Sequence, residues 1–393
     1  MTSRRRLAIG VAVLAAILLG GRAMSVLYDS FTWYDSLGAR SVWIERARDL
    51  VLVRGTGFIA GMLFSLANLA FAAKSIGGLT RPRRLANVEF GEAVPASQLR
   101  IAAVAISAAI AAGLMRLLPS WSAIALSKLG VDFREADPYL QHDLSFYVTW
   151  LPIERSLHAW ALALALTVTI VVIGAYVFAS GLRWAGGQLI MTLPARRHAG
   201  ILSAILLLLC AWSYRIDSYD LVAFAGRDGS GFTYFDHRLL LPALLALTLA
   251  TAAIALTVAV SAWMGQLRTA LLAIIAAIFL SGITREVLPF VYFRLTTDAE
   301  RRRDDAPYFA TRADFTRRAF GTEVDESPGE ESAFAAFPSE TAPQSSEADN
   351  LFFPGAVGTR LIDNPTLDLA APSLGTGATR LAHAWAARNF ALL

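Results

Sequence analysis

The stretch DPYLQHDLSFYVTWLP, residues 137–152, carries side chains that could do chemistry. Asp137 and Asp143 lie six positions apart, and His142 directly precedes the second aspartate. Carboxylate and imidazole groups bind metals and also transfer protons in acid–base catalysis. Their spacing lacks the short, fixed pattern of a strong motif such as His-Glu-x-x-His. We therefore favour a structural interpretation, in which Asp137-Pro138 begins a turn and Asp143 caps a short interfacial helix.

A second set of charged residues lies near the predicted outer ends of apolar segments. Ionisable groups inside a membrane are costly and tend to be functional, so these arginines could form an anion-binding ring or pair with outer aspartates. Alternatively, each arginine buries its stem and keeps its head in the headgroup layer. This placement of the charged head suffices for Arg22 and Arg215, which lie close to water. Arg54 and Arg116 lie deeper in their apolar segments, so we expect them to need partners. The set is Arg22, Arg54, Arg116, Arg215 and Arg285, with Glu286 beside the last.

The third polar cluster surrounds a glycine-rich stretch, Gly226–Gly231. This stretch indicates turns and lacks the ending of a phosphate-binding loop. Asp236 and His237 could join the two aspartates of the first stretch in a metal site if the loops converge. The cluster consists of Asp217, Asp220, Asp236 and His237.

The sequence contains no nucleophile elbow, kinase signature or dinucleotide fingerprint. Its one cysteine, Cys210, rules out an intramolecular disulfide and a cysteine-cluster zinc site. We therefore predict that the chain is not an enzyme, and we expect no cofactor and no metal.

The composition identifies the environment that must position these residues. Of the 393 residues, 55% are hydrophobic and 17% charged, and the mean hydropathy is +0.50. Both values depart from those of soluble domains towards those of an integral membrane protein. The net charge is +4, and the basic residues are scattered through short loops and helix ends. They do not form the basic stripe that would indicate nucleic-acid binding.

A membrane-crossing helix needs about 20 apolar residues, and seven segments qualify. We interpret the first as an uncleaved helix following a basic start. The third and fifth are short, and the fifth could begin near Leu189. In the second, Gly57, Gly61 and Ser65 share one face and predict close helix packing. The segments are Leu7–Leu27, Val51–Ala73, Ile101–Leu118, Leu157–Ser180, Ala199–Tyr214, Leu239–Met264 and Ala270–Phe293.

The loops predict the orientation. Arginine and lysine dominate the stretch before the first segment and the loops after the second and fourth, whereas the alternate loops hold most of the aspartates. Basic residues favour the cytoplasmic side. Seven spans therefore give a cytoplasmic N-terminus and an extracytoplasmic C-terminus.

The chain changes character after the seventh segment. Residues 294–321 are dense in charge. Residues 322–350 contain eight acidic and no basic residues and predict a disordered linker. Residues 351–393 form a short tail, in which Leu381–Leu392 could be one amphipathic helix.

Four outer motifs resemble, in order and placement, those of the uncharacterised protein family 0182, a group of bacterial multi-pass membrane proteins. The resemblance covers roughly residues 25–321. It implies a seven-helix inner-membrane domain followed by a large extracytoplasmic region, most of which this chain would lack. The resemblance implies no particular activity, ligand or catalytic residue. The motifs are Thr32–Trp43, Asp137–Pro152, Gly229–Leu244 and Leu288–Gly321.

The sequence thus predicts an all-α integral membrane protein, with a seven-helix transmembrane domain over residues 1–293. The favoured function is a non-enzymatic scaffold or accessory subunit of a membrane complex in the bacterial inner membrane. The alternative is a transporter or channel that uses the outer arginines and aspartates. The expected partners are the lipid bilayer and other membrane proteins, with no nucleic acid, and the oligomeric state stays open.

Overall fold

The computed structural model of the chain describes residues 2–76, 96–179, 181–185, 188–224 and 231–320. The predicted acidic linker and the tail with its amphipathic helix lie outside these residues. Within them the protein is mainly helical. The first half contains α1 (Thr2–Ser36), α2 (Arg40–Ile76), α3 (Ala96–Gly113), a 3-10 segment (Leu114–Leu117), α4 (Trp121–Leu129), α5 (Leu144–Thr149) and α6 (Leu151–Phe178).

The second half begins with an antiparallel hairpin that the sequence analysis did not predict. Strands β1 (Leu182–Ala185) and β2 (Gln188–Met191) pair Leu182 with Met191 and Ala185 with Gln188. The remaining elements are α7 (Leu193–Ala223), a π-helical segment (Asp236–Leu240), α8 (Leu241–Met264), α9 (Leu267–Gly282), a second π-helical segment (Ile283–Val287), α10 (Leu288–Leu295) and α11 (Asp298–Phe320).

Six helices in the described part of the chain are long and apolar enough to cross a membrane. Only 11–33% of each apolar window is buried inside the protein, so most of this surface needs another apolar environment to cover it. The first predicted span falls within α1. The six helices are Arg40–Ile76, Ser97–Leu117, Leu151–Phe178, Leu193–Ala223, Asp236–Met264 and Leu267–Leu295.

These helices confirm the positions of the second to seventh predicted segments and correct several of their ends. The fourth begins at Leu151, six residues earlier than predicted, with a proline in its first turn. The fifth begins at Leu193 and reaches Ala223, well past the predicted end. A start near Leu189 is wrong because that residue lies in β2.

Local signals explain several helix ends. The Ser120 hydroxyl accepts a hydrogen bond from the Ala123 amide and caps α4. Gly265 ends α8 with φ of 92°, a left-handed conformation that glycine adopts without strain. Pro152 lies in the first turn of α6, where the missing amide proton costs little.

The chain divides into two compact units, and the first comprises residues 1–219 and 240–292. Its core is formed by side chains from α2, α3, α6 and α7, including Leu69, Ala103, Val168 and Leu202. The predicted small-residue face of α2 is confirmed as a packing face. A Cβ atom at Gly61 would lie 3.5 Å from Ala111 and Trp160.

The second unit comprises residues 220–239 and 293–393, of which the structure describes 220–224, 231–239 and 293–320. Helix α11 forms most of its described part. Phe232 and Phe235 are buried in this unit, and the Phe232 ring lies 6.2 Å from that of Tyr308.

Candidate functional site

The Asp137 carboxylate is 2% exposed and is surrounded by hydrogen-bond donors. Its Oδ1 accepts from the amides of Tyr139 (2.9 Å) and Leu140 (2.6 Å). Its Oδ2 accepts from the His142 amide (2.9 Å) and the Tyr147 hydroxyl (2.9 Å). Burial and the neighbouring carboxylate raise the pKa of Tyr147 above its ordinary value of 10.0. Four donors to one carboxylate make Asp137 a structural anchor of the turn.

Asp143 stabilises the same loop through a second set of backbone hydrogen bonds. Its Oδ1 accepts from the amides of Ser145 (2.8 Å) and Phe133 (3.1 Å), and its Oδ2 accepts from the Arg134 amide (2.8 Å). Burial opposes ionisation, but these hydrogen bonds outweigh it and lower the pKa of Asp143 below 3.8. Asp143 is the N-cap of α5, which confirms the predicted cap.

The oxygens of both carboxylates thus accept hydrogen bonds from the protein itself. The His142 side chain packs against aromatic rings. The ring stacks on Phe146 (4.8 Å) and meets the edge of Tyr219 (5.4 Å). Among the described residues, no group of three or more His, Cys, Asp and Glu side chains could hold a metal ion.

Of the arginines predicted to lie on the outer side, Arg285 pairs with one of the aspartates named in the sequence analysis. It forms an ion pair with Asp217, and its guanidinium lies 5.2 Å from the Tyr214 ring centroid. This pair joins α7 to the second π-helical segment, a rare form that is frequent at functional sites.

Arg54 and Arg116 do not join this pair. Both are exposed, Arg54 on α2 and Arg116 on the 3-10 segment. Neither forms an ion pair within the described ranges. Asp137 and Asp143 instead take backbone partners, so the structure does not bring these aspartates to the arginines.

Of the remaining predicted residues, Asp220, Asp236 and His237 belong to the second unit and Glu286 to the first. The Asp236 carboxylate accepts hydrogen bonds from the amide (3.0 Å) and hydroxyl (2.8 Å) of Thr233. Nδ1 of His237 lies 2.9 Å from the Tyr308 hydroxyl of α11. Asp220 and Glu286 also make contacts. Asp236 and His237 thus serve local packing within their unit.

The structure adds a buried polar cluster that the sequence analysis missed, centred on Glu154 of α6. The Glu154 side chain is 7% exposed. Its Oε1 accepts from Trp212 Nε1 at 2.8 Å and lies 3.4 Å from the Arg215 guanidinium. One turn along α6, His158 Nε2 lies 3.0 Å from the Leu209 carbonyl, and its ring meets the edge of Trp212 at 5.3 Å.

A second missed cluster links three helices through His198, which is 5% exposed. Its Nδ1 lies 3.1 Å from the Tyr176 hydroxyl, and its Nε2 lies 3.0 Å from the Asn68 side-chain oxygen. Both ring nitrogens are therefore engaged, and the cluster ties α2, α6 and α7 together.

Comparisons with known proteins agree with the resemblance seen in the sequence. A family model described as Uncharacterised protein family (UPF0182) matches residues 7–350. A UPF0182 protein from Mycobacterium marinum is 28% identical over 335 residues, covering 82% of this chain and 33% of that protein.

Two further UPF0182 proteins give similar values. The one from Nocardia farcinica is 27% identical over 335 residues, covering 82% of this chain and 33% of that protein. The one from Saccharopolyspora erythraea is 28% identical over 345 residues, covering 82% and 34%. The chain thus spans about a third of the length of these relatives. No solved structure matches it.

Proposed function

The chain belongs to the Uncharacterised protein family (UPF0182), and from this premise we propose that it is a non-enzymatic scaffold or accessory subunit of a membrane complex. We place it in the bacterial inner membrane with seven spans, a cytoplasmic N-terminus and an extracytoplasmic C-terminus. In this proposal the outer loop between α4 and α5, residues 130–143, contacts another membrane protein.

One observation carries this proposal, namely that the backbone of the outer loop is held by hydrogen bonds while its apolar side chains are exposed. Val131 is 73% exposed, Phe133 is 50% exposed, and Leu129 before the loop is 75% exposed. The Asp143 carboxylate fixes the backbone of this segment through the amides of Phe133 and Arg134. A preformed apolar surface binds a partner at low entropic cost.

The test places a photo-activatable cross-linking residue at Phe133 of the tagged full chain in native membranes. The matched control position is Phe178, which is 88% exposed at the opposite end of α6. We expect one defined membrane protein to cross-link at Phe133 and to co-purify in mild detergent, with no such product at Phe178. Recovery of only the un-cross-linked monomer from both positions would contradict the scaffold role.

The ion pair between Arg285 and Asp217 favours a second candidate, a transporter or channel with a polar path on the outer side. A water-filled path would make a cysteine at Tyr214 reactive towards a small water-soluble thiol reagent in a Cys210→Ser background. The matched control is a cysteine at Leu272, which is 66% exposed on α9 and faces lipid in this arrangement. Equal lack of reaction at both positions would remove this candidate.

A further inference from the structure

Two neighbouring arginines at the start of α7 lie against the end of α8. Arg196 Nε donates a hydrogen bond to the Ala262 carbonyl oxygen at 3.2 Å. The Arg197 guanidinium lies 4.2 Å from the ring centroid of Trp263. Both arginine side chains remain partly exposed. These contacts hold two guanidinium groups at the point where α7 begins and α8 ends.

Gly265 leaves space for the first of these guanidinium groups. It ends α8 with φ of 92°, and a Cβ atom there would lie 3.1 Å from Arg196 Nη2. Any other residue would therefore strain the backbone and crowd the guanidinium. An arginine that only snorkels extends its head into water, whereas this one is folded back onto the α8 backbone.

The stretches of sequence that form this end of α7 and α8 contain no acidic residue. Residues 155–216 and 237–285 hold no aspartate or glutamate. Arg197 Nε is buried and has no hydrogen-bond partner among the described residues. The ends of α7 and α8 contribute about +0.5 and about −0.5 charge, which cancel, so about two positive charges remain. An anion would neutralise them and accept hydrogen bonds from the guanidinium groups.

Exposed apolar side chains lie beside the two arginines in the sequence. Trp263 is 56% exposed and Met264 is 66% exposed at the end of α8, and Leu193 is 49% exposed at the start of α7. These residues end two of the helices that are long enough to cross a membrane. In a bilayer they should lie at the level of the headgroups. A phospholipid matches this combination, because its phosphate is anionic and its acyl chains are apolar.

From this geometry we propose that Arg196 and Arg197 bind the phosphate group of an anionic phospholipid at the junction of α7 and α8. Guanidinium groups donate several hydrogen bonds to a phosphate and keep their charge at all physiological pH values. The Ala262 carbonyl and the Trp263 ring hold them in place beforehand, which lowers the entropic cost of binding. The proposal rests on the membrane environment of the two helices and not on the scaffold role.

The test titrates the purified full chain, in a detergent that removes bound lipid, with short-chain phosphatidylglycerol. Native mass spectrometry measures the bound fraction, and we expect one lipid to bind saturably. Phosphatidylcholine of the same chain length has no net charge and should bind about tenfold more weakly. Inorganic phosphate should not displace the lipid, because it lacks acyl chains. Equal binding of the two lipids, or displacement by inorganic phosphate at the same concentration, would overturn the assignment to an anionic phospholipid.

A charge substitution tests whether Arg197 belongs to the site. Arg197→Gln should weaken the binding of phosphatidylglycerol about tenfold or more, because a hydrogen bond to a charged group is lost. The matched control is Arg183→Gln, which removes the same charge from an exposed residue of β1 and should leave the affinity within about twofold. Equal losses in the two variants would show that binding follows overall charge alone and would overturn the proposal.

A second substitution leaves every charge in place. Trp263→Leu removes the ring that holds Arg197 and should weaken binding about two- to fivefold. The matched control is Phe178→Leu, at an aromatic residue that is 88% exposed at the end of α6, and it should bind as the wild type does. Size-exclusion chromatography checks that each variant is folded. An affinity unchanged in both Arg197→Gln and Trp263→Leu would place the lipid elsewhere and overturn the proposal.

Discussion

Asp137 illustrates how a buried aspartate in the loop between α4 and α5 can serve the local structure. Its carboxylate accepts three backbone amides and one hydroxyl. We expect Asp137→Ala to lower the free energy of unfolding by about 4 kcal/mol or more, because four donors lose their acceptor and each buried donor left unpaired costs about 1–3 kcal/mol. Chemical denaturation in detergent measures this change. Tyr147→Phe removes one of the four bonds and should cost about 1 kcal/mol. An equal cost for both variants would contradict this role.

We expect Asp143 to make the loop of residues 130–143 sensitive to acid. Because its pKa is lower in the folded protein than the ordinary 3.8, the ionised carboxylate stabilises the loop above that value. This stabilisation is lost as the pH falls through the lowered pKa. We expect cleavage of residues 130–143 by an acid protease to rise between about pH 5 and about pH 2. In Asp143→Asn the loop should already be cleaved faster at the upper end of this range. A parallel rise in both proteins would argue against this assignment.

At the scale of elements, helix packing relies on close approach at particular glycines. A Cβ atom at Gly200 of α7 would overlap the Ala262 side chain of α8, whereas one at Gly61 of α2 would make ordinary contacts of 3.5 Å. We expect Gly200→Ala to destabilise the protein by about 1–3 kcal/mol, and Gly61→Ala to be close to neutral. Thermal unfolding in detergent, followed by size-exclusion chromatography, compares the two variants. Equal stability would show that α7 and α8 can separate without cost.

Hydropathy alone located the six described spans, because each is an apolar run of sufficient length. It misplaced the start of α6, where charged residues interrupt the apolar run. Glu154 and Arg155 precede Leu157, so the predicted span began after them. The i, i+4 spacing of Glu154 and His158, which puts both on one helix face, was the signal that could have found this cluster.

The outer turn and cap were also predictable, because Asp-Pro and an aspartate before an apolar run are local signals. The contacts between charged residues that are distant in the sequence were not predictable. Whether Arg285 reaches Asp217 depends on the register between α7 and a π-helical segment. That register cannot be deduced from a single sequence. The hairpin β1–β2 was missed, although Gly186-Gly187 between two apolar runs is a recognised hairpin signal.

At the scale of the whole molecule, six long apolar helices leave a large surface that a bilayer would cover. The spans expose large apolar side chains such as Ile170 (63%), Leu249 (73%) and Phe279 (70%). In water these surfaces would drive aggregation, whereas hydrocarbon covers them at no cost. Two polar side chains inside the bundle, Glu154 and His198, accept or share hydrogen bonds with side chains of neighbouring helices.

The orientation of the spans can be tested with single cysteines in a Cys210→Ser background. Basic residues flank the proposed cytoplasmic ends, so Asp132 in the outer loop should face the extracytoplasmic side and Arg183 in β1 the cytoplasm. We expect a cysteine at position 132 to react with a membrane-impermeant thiol reagent in spheroplasts. A cysteine at the exposed position 183 should react only after lysis. The reverse pattern would invert the proposed topology and place the outer loop, with its apolar side chains, in the cytoplasm.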